Sequence, residues 1–360
     1  GYFENNIANP SIHLNKNAAF TFPDALAING NLILEQGSVD LNTQSLSLGR
    51  NIVREAGYTG YVDATEATIL FTGDTPQTID QDAFLNNTVE NINNNGSGGP
   101  SLTNELKLTG ILKLNNGDFQ SNGHLVFIST ETKTALMDRV IVGATISGDV
   151  TIERFFKARR AFRLFSSPVN TVTTIRNNWQ EGVNNTTNNP AQNQNPNPGY
   201  GIHITGSVSG ANGFDATPSG NPSLFLYDNP TQSWSAASNT NSSTILAGTP
   251  YRFLVRGDRS INVTSNSTEP TDTRIRTKGV PVIGTLINNA MGLAAGDSNF
   301  IGNPYQAPVD MSLVLGASVN LNPNFYMIWD PTVGGQNPVP GTPGGRGAFV
   351  TIDLEDNTNT

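Results

Sequence analysis

The chain has 360 residues, room for two domains of ordinary size, and only 14% of them are charged, against roughly 25% in an average globular protein. A net charge of −9 and a pI near 4.8 argue against a nucleic-acid partner, which needs a dense cationic surface, and against adsorption to an anionic membrane. No apolar run approaches the roughly 18–20 residues that span a bilayer, and the lack of cysteine excludes a disulfide framework, thiolate metal sites and thiol nucleophiles.

Asn, Gly, Thr, Ser and Pro make up the balance, with 46 asparagines among them. Asn and Gly tolerate positive φ, and short polar side chains bond to nearby backbone, so turn formers separating short apolar runs read as an all-β chain. The same composition without cysteine suits a bacterial exported or cell-surface protein. Position 1 is a glycine with no charged and apolar leader behind it, so any export signal is expected to have gone already.

An eighty-residue echo organises the first part of the chain. Ile28, Gly30, Leu32, Leu34, Gly37 and Val39 reappear as Leu108, Gly110, Leu112, Leu114, Gly117 and Phe119, flanked by Ile12/Ile92, Leu26/Leu106 and Asn42/Asn122. It indicates a duplicated β-rich unit with alternating apolar positions and glycines at the turns. Apolar alternation predicts strands at 32–34, 39–41, 46–48, 67–71, 106–108, 111–114 and 125–128, with 91–99 almost pure turn chemistry. At solenoid periods of about 20–50 residues, an echo of this length holds two to four coils. The expectation for 1–149 is a β-solenoid of parallel β-helix type; a β-sandwich with a duplicated sheet is the competing architecture.

The texture changes near residue 150. Val150–Phe156 and Ala161–Phe165 read as a strand pair around the basic turn 157–160, and 183–199 as a low-complexity surface loop or linker. Further strands are expected at 201–204, 223–227, 251–255, 274–277, 299–301, 325–329 and 349–354, with 332–347 rich in Pro and Gly. Such spacing predicts a β-sandwich or jelly-roll over 150–355, followed by a tail at 356–360.

Within this half, Val150-Thr-Ile-Glu-Arg-Phe-Phe and Arg160-Ala-Phe-Arg-Leu-Phe-Ser-Ser-Pro168 resemble a block common in large secreted proteins of type IX secretion systems. So do Gly213-Phe-Asp215, Leu226-Tyr-Asp228 with Trp234, Tyr251-Arg-Phe-Leu-Val-Arg-Gly-Asp-Arg259, Asn299-Phe-Ile-Gly-Asn-Pro-Tyr305 and Tyr326-Met-Ile-Trp-Asp330, in the family's order over about 150–330. The Gly73-Asp-Thr-Pro-Gln-Thr-Ile79 run resembles the β-helical stretches that often precede that block. The resemblance implies a long, modular, exported protein of adhesin or surface-layer character, normally followed by a C-terminal secretion-signal domain that this sequence does not include. It brings no active site with it.

Candidate chemistry is sparse. His13 and His203 alternate with apolar neighbours and are expected to face solvent; with His124 they form no His-x-His or His-x-x-x-His pair, so no metal site is expected. No Gly-x-Ser-x-Gly elbow is present. The carboxylates that a glycosidase would pair, Asp63, Glu66, Glu153, Asp228 and Asp258, are scattered. Neither an EF-hand loop nor a Gly-Gly-x-Gly-x-Asp repeat occurs, so no cofactor is expected beyond an incidental Ca²⁺ near Asp228 or Asp258.

Arg154, Lys157, Arg159, Arg160 and Arg163 form either an anion patch or a solvated basic turn, the plainer reading. Arg256-Gly257-Asp258 reads as a turn scaffold rather than a receptor ligand. Trp179, Trp234, Tyr227, Tyr326 and Trp329 fit core positions better than a sugar-stacking surface. The sequons at Asn262 and Asn266 are compositional background in a bacterial protein.

The expectation is therefore a non-enzymatic extracellular structural or adhesive protein, self-assembling into a filament or surface layer. Its partners would be further copies, other surface proteins or glycans. The alternatives are a carbohydrate-binding or polysaccharide-degrading module and a spacer within a larger secreted protein.

Overall fold

The computed structural model describes residues 10–287, 290–333 and 347–355; most of the Pro/Gly-rich stretch and the tail at 356–360 lie outside them. The fold is all-β, with 41% of residues in strands and 5% in helix. Two compact units divide the chain: Gly1–Arg154 with Lys278–Gly284, and Phe155–Thr277 with Thr285–Thr360. No helix among the described residues is long and apolar enough to cross a membrane.

The first unit is a β-solenoid of about 6 turns, with parallel strands stacked on three faces. The first face runs through 12–14, 32–34, Ile52–Val53, Gln77–Ile79, Pro100–Leu102, Gly117–Gln120 and Ala144–Ser147. The second carries 19–21, 38–40, 61–64, 84–89, Leu106–Leu108, Leu125–Phe127 and 150–152. The third holds Leu26–Ile28, Ser45–Leu48, 69–71, 92–94, Ile111–Leu114 and Leu136–Met137. Alternation turns Leu34, Leu41, Leu46, Leu48, Ile69 and Phe71 inward, where they are fully buried. Each such side chain contributes about 1.5–3 kcal/mol relative to exposure.

The echo has a different meaning from a stacked duplication. Leu32 lies on the first face, between Ile12 and Ile52, whereas Leu112 lies on the third, between Ile92 and Met137. Val39 and Phe119 likewise sit on the second and first faces. Eleven faces separate the members of each pair, and eleven is not a multiple of three, so the matched segments are rotated by one face. What the echo preserves is the local strand-and-corner unit of about seven residues. Asn42 and Asn122 share a φ of 48°, and equivalent turns close when Gln44 N–H donates to Leu41 O and His124 N–H to Ser121 O, at 2.9 and 2.8 Å.

Polar side chains tie successive coils together. Asn31 Oδ1 accepts from Asn51 N–H at 3.1 Å, Asn51 Oδ1 from Thr78 N–H at 2.9 Å, and Asn91 Oδ1 from Ile111 N–H at 2.9 Å. The fully buried Gln77 donates through Nε2 to Leu48 O and Arg50 O, at 3.0 and 2.7 Å, and accepts from Gly73 N–H at 3.1 Å. Gly49, Gly73, Gly96 and Gly117 stack at the corner after the third face, each against the backbone of the coil before it. A Cβ at Gly49 would lie 2.7 Å from Asn29 O, which accounts for glycine there without any appeal to φ.

The second unit is built on a four-stranded antiparallel sheet in the order Ala161–Phe165, Tyr251–Val255, Leu224–Asp228, Ser233–Ala236. Its inner face packs on a core of Trp179, Ile202, Ile204, Phe214, Ile245, Phe253 and Ile275. A short helix, Ile175–Trp179, is capped by the Thr174 side chain and delivers Trp179, whose Nε1 donates to Thr277 Oγ1 at 3.0 Å. A two-stranded antiparallel ribbon pairs Phe325–Asp330 with Ala348–Asp353.

Several expectations need correction. Val150–Phe156 pairs in parallel with Leu125–Phe127, and Ala161–Phe165 pairs with Tyr251–Val255, so the hairpin around 157–160 does not form. Residues 201–204 and 299–301 are not strands. The loop 183–199 is anchored rather than wholly on the surface, because Asn184 and Asn185 are buried and Asn184 Nδ2 donates to Gly210 O and Phe214 O.

Candidate functional site

The sheet of the second unit places an aromatic layer on the face opposite its core. Phe225 lies opposite Arg252 and Tyr227 opposite Trp234, so strand alternation turns these four side chains the same way, joined by Phe162. Phe300 stacks over this face, with ring centroids 4.3 Å from Tyr227 and 5.1 Å from Trp234. Phe349 meets Phe300 at 5.8 Å and Trp329 at 4.9 Å, and Trp329 Nε1 donates to Phe162 O at 2.8 Å. The aromatics named from the sequence therefore divide. Trp179 is core, while Tyr227, Trp234 and Trp329 are half-buried on the outer face.

Arg252 sits among these rings, its guanidinium carbon 4.6 Å from the centroid of Trp234, 4.7 Å from Phe225 and 5.2 Å from Phe162. Cation–π attraction holds it there. Burial lowers its pKa, and Nε is closed off from solvent with no hydrogen-bond partner. Among the described residues no carboxylate pairs with this guanidinium. Burial raises the pKa of Tyr227, with Asp297 adding to the effect.

A second constellation is fully internal. Arg259 Nη1 donates to Asp215 Oδ2 at 3.1 Å and Nη2 to Oδ1 at 2.8 Å, with both side chains inaccessible. Asp215 also accepts from Asn185 N–H, Ile204 N–H and Gln180 Nε2, at 2.8, 3.0 and 3.2 Å. His203 Nδ1 lies 3.3 Å from Asp215 Oδ1, and its Nε2 lies 3.1 Å from Arg259 O. Burial alone would raise the Asp215 pKa, but His203 and Arg259 outweigh it and hold the carboxyl far below the usual range. This cluster is closed to solvent and ties the loop residues Gln180, Asn185, His203 and Arg259 to the short strand Asp215–Ala216.

The histidines depart from expectation. His203 belongs to that buried cluster, and His13 is buried with Nδ1 2.7 Å from Glu35 Oε1. Sequence alternation gives the side a residue faces on a strand, not what covers it. His124 is half-buried beside the corner turn at Ser121.

The scattered carboxylates act locally. Asp63 accepts from Thr65 N–H and Oγ1, Glu66 is exposed, Glu153 Oε2 accepts from Ser129 N–H at 3.3 Å, and Asp228 Oδ1 accepts from Thr231 N–H. Asp258 is buried; burial would raise its pKa, and bonds from Ser260, Gly199 and Thr271 bring it below the ordinary value. The Arg256-Gly257-Asp258 turn thus points its aspartate inward. No group of three or more His, Asp or Glu side chains is placed to hold a metal ion among the described residues.

The basic segment is anchored. Arg159 donates to Pro331 O and Thr332 O, Arg160 to Asn266, and Arg163 to Lys157 O, while Lys157 pairs with Asp272 at 3.7 Å. Burial, with Arg159 adding and Asp330 opposing, brings the Arg163 pKa down to about 10. Burial also lowers the pKa of Arg154. The sequon at Asn262 is an Asx turn, its Oδ1 accepting from Thr264.

The fold defines an all-β protein with a parallel β-solenoid and a separate antiparallel sheet. No protein-family model, no curated protein and no solved structure matches the chain.

Proposed function

We propose that this protein is a non-enzymatic structural or adhesive component of a bacterial cell surface, exported by a route such as type IX secretion. The observation that carries the reading is how the solenoid uses its polar side chains: Asn31, Asn51, Gln77, Asn91 and Asn94 bond to the backbone of neighbouring coils. Such bonds favour a stiff stacked body over a mobile, solvent-open cleft. The sandwich reading of 150–355 belongs to the same proposal, supported by the layer of Phe300, Trp329 and Phe349 over the outer sheet face.

Self-assembly is part of the proposal. Among the described residues, the strand Ile12–Thr21 pairs only with Leu32–Asp40. An edge strand with unpaired N–H and C=O groups is a template for another chain. Electron microscopy of the purified protein over a range of concentrations tests this. Filaments or sheets that grow with concentration are expected; monodisperse monomers at every concentration would contradict it.

A further inference from the structure

We propose that the first solenoid strand, Ile12–Thr21, of one copy pairs with the ribbon strand Phe325–Asp330 of the next, a head-to-tail contact between two different surfaces of the same chain. The inference rests on the self-assembly reading and names the surface that the first strand meets. A strand edge that pairs with its own copy about a two-fold axis closes at a dimer, whereas growth into a filament needs a second, different surface. The ribbon supplies one. Its two strands pair only with each other among the described residues, and a two-stranded ribbon is marginal by itself. Phe325–Trp329 is a run of large hydrophobic residues with no charge, proline or bulge to blunt its edge, and Phe325, Met327 and Ile328 are exposed.

The backbone parity of the two edges matches. Leu354 N–H donates to Asn324 O at 2.7 Å, so residues 324, 326, 328 and 330 turn their N–H and C=O toward the other ribbon strand. Phe325, Met327 and Trp329 turn theirs away from it. On the first solenoid strand, Phe22 N–H donates to Asp40 O, so Ala19 and Thr21 turn theirs away from the second coil. An antiparallel register with Thr21 opposite Phe325 and Ala19 opposite Met327 therefore sets N–H groups against C=O groups on both strands. The same register sets Lys16, exposed and without an ion pair among the described residues, opposite Asp330, the one carboxylate of its strand. It also brings Tyr326 beside Phe20. Phe20 is half-buried, whereas Val39 and Val62, next in its stack, are buried, so a strand added on this side completes the cover over Phe20.

The test uses two variants of the full chain, each blocking one surface. Thr21→Pro removes an outward donor from the first strand, and Met327→Pro removes one from the ribbon, and neither takes a bond from its own ladder. Sedimentation velocity is run on the native protein, on each variant and on their equimolar mixture. The native protein should form larger species, and each variant alone should stay monomeric. The mixture should give a one-to-one dimer and nothing larger, because one intact copy of each surface remains. Circular dichroism checks that the variants fold; if Met327→Pro does not, Met327→Lys blocks the same edge with a charge. Assembly of the Met327 variant to the native extent, dimers of that variant formed through its first strand alone, or a mixture that stays monomeric would each overturn the proposal. The first two outcomes would leave self-assembly itself standing, whereas a native protein that stays monomeric would remove both.

Discussion

Arg259 grips Asp215 through both terminal nitrogens, at 3.1 and 2.8 Å, in a place where neither side chain meets solvent. Removing one partner of a buried pair strands the other charge, so Asp215→Ala should cost about 3–5 kcal/mol, read by urea or thermal unfolding of the second unit. Asp215→Asn, which keeps the shape but loses the charge, should also destabilise markedly.

The same pair fixes an acid response. The folded pKa of Asp215 lies below its unfolded value, so its contribution to stability is complete above about pH 4 and is lost as pH falls toward the folded pKa. Unfolding midpoints measured from pH 6 down to pH 2 should decline in the native protein. The decline should be shallower in Asp215→Asn, and equal slopes would count against the assignment.

Gln77 joins two coils at one corner by bonding Leu48 O, Arg50 O and Gly73 N–H. Gln77→Leu leaves these groups without that partner, at about 1–3 kcal/mol for each one left buried and unsatisfied. Gln77→Glu should be worse at neutral pH, because a carboxylate would face two carbonyl oxygens, and should recover as acid protonates it. Thermal melts at pH 7 and pH 4.5 distinguish the two.

The glycine stack makes a steric prediction. Gly49→Ala puts a methyl 2.7 Å from Asn29 O and should cost about 1–3 kcal/mol by overpacking. Gly316→Ala, where nothing lies within 4 Å of the new methyl, is the control, and should be neutral or slightly stabilising.

Much of the solenoid is legible in the sequence because its strands bury every second residue: 32–34, 46–48 and 106–108 fall where alternation puts them. The echo was legible too, but not its geometry. Leu32 and Leu112 share a local corner pattern, whereas the face each occupies depends on the summed lengths of all corners between them. The second unit hides its pairings for a related reason, since Phe165 meets Tyr251 across a long stretch of chain and nothing local marks that choice. Asp215 was visible only inside a family-like motif, because no spacing links it to Arg259 or His203. Arg252 reads in sequence as one more polar residue in an alternating strand; only the register against Phe225 reveals its aromatic cage.

The proposal that the stacked scaffold assembles through the Ile12–Thr21 edge, unpaired on one side among the described residues, has a direct test. Phe22 N–H donates to Asp40 O, so strand parity turns the N–H of the preceding Thr21 away from the second coil, toward the edge that has no strand partner among the described residues. Thr21→Pro removes a donor there while sparing the internal ladder. Sedimentation velocity across a concentration series should show the native protein forming larger species and Thr21→Pro remaining monomeric with an unchanged melting temperature. A native protein that stays monomeric at every concentration, or a variant that assembles equally well, would contradict the account.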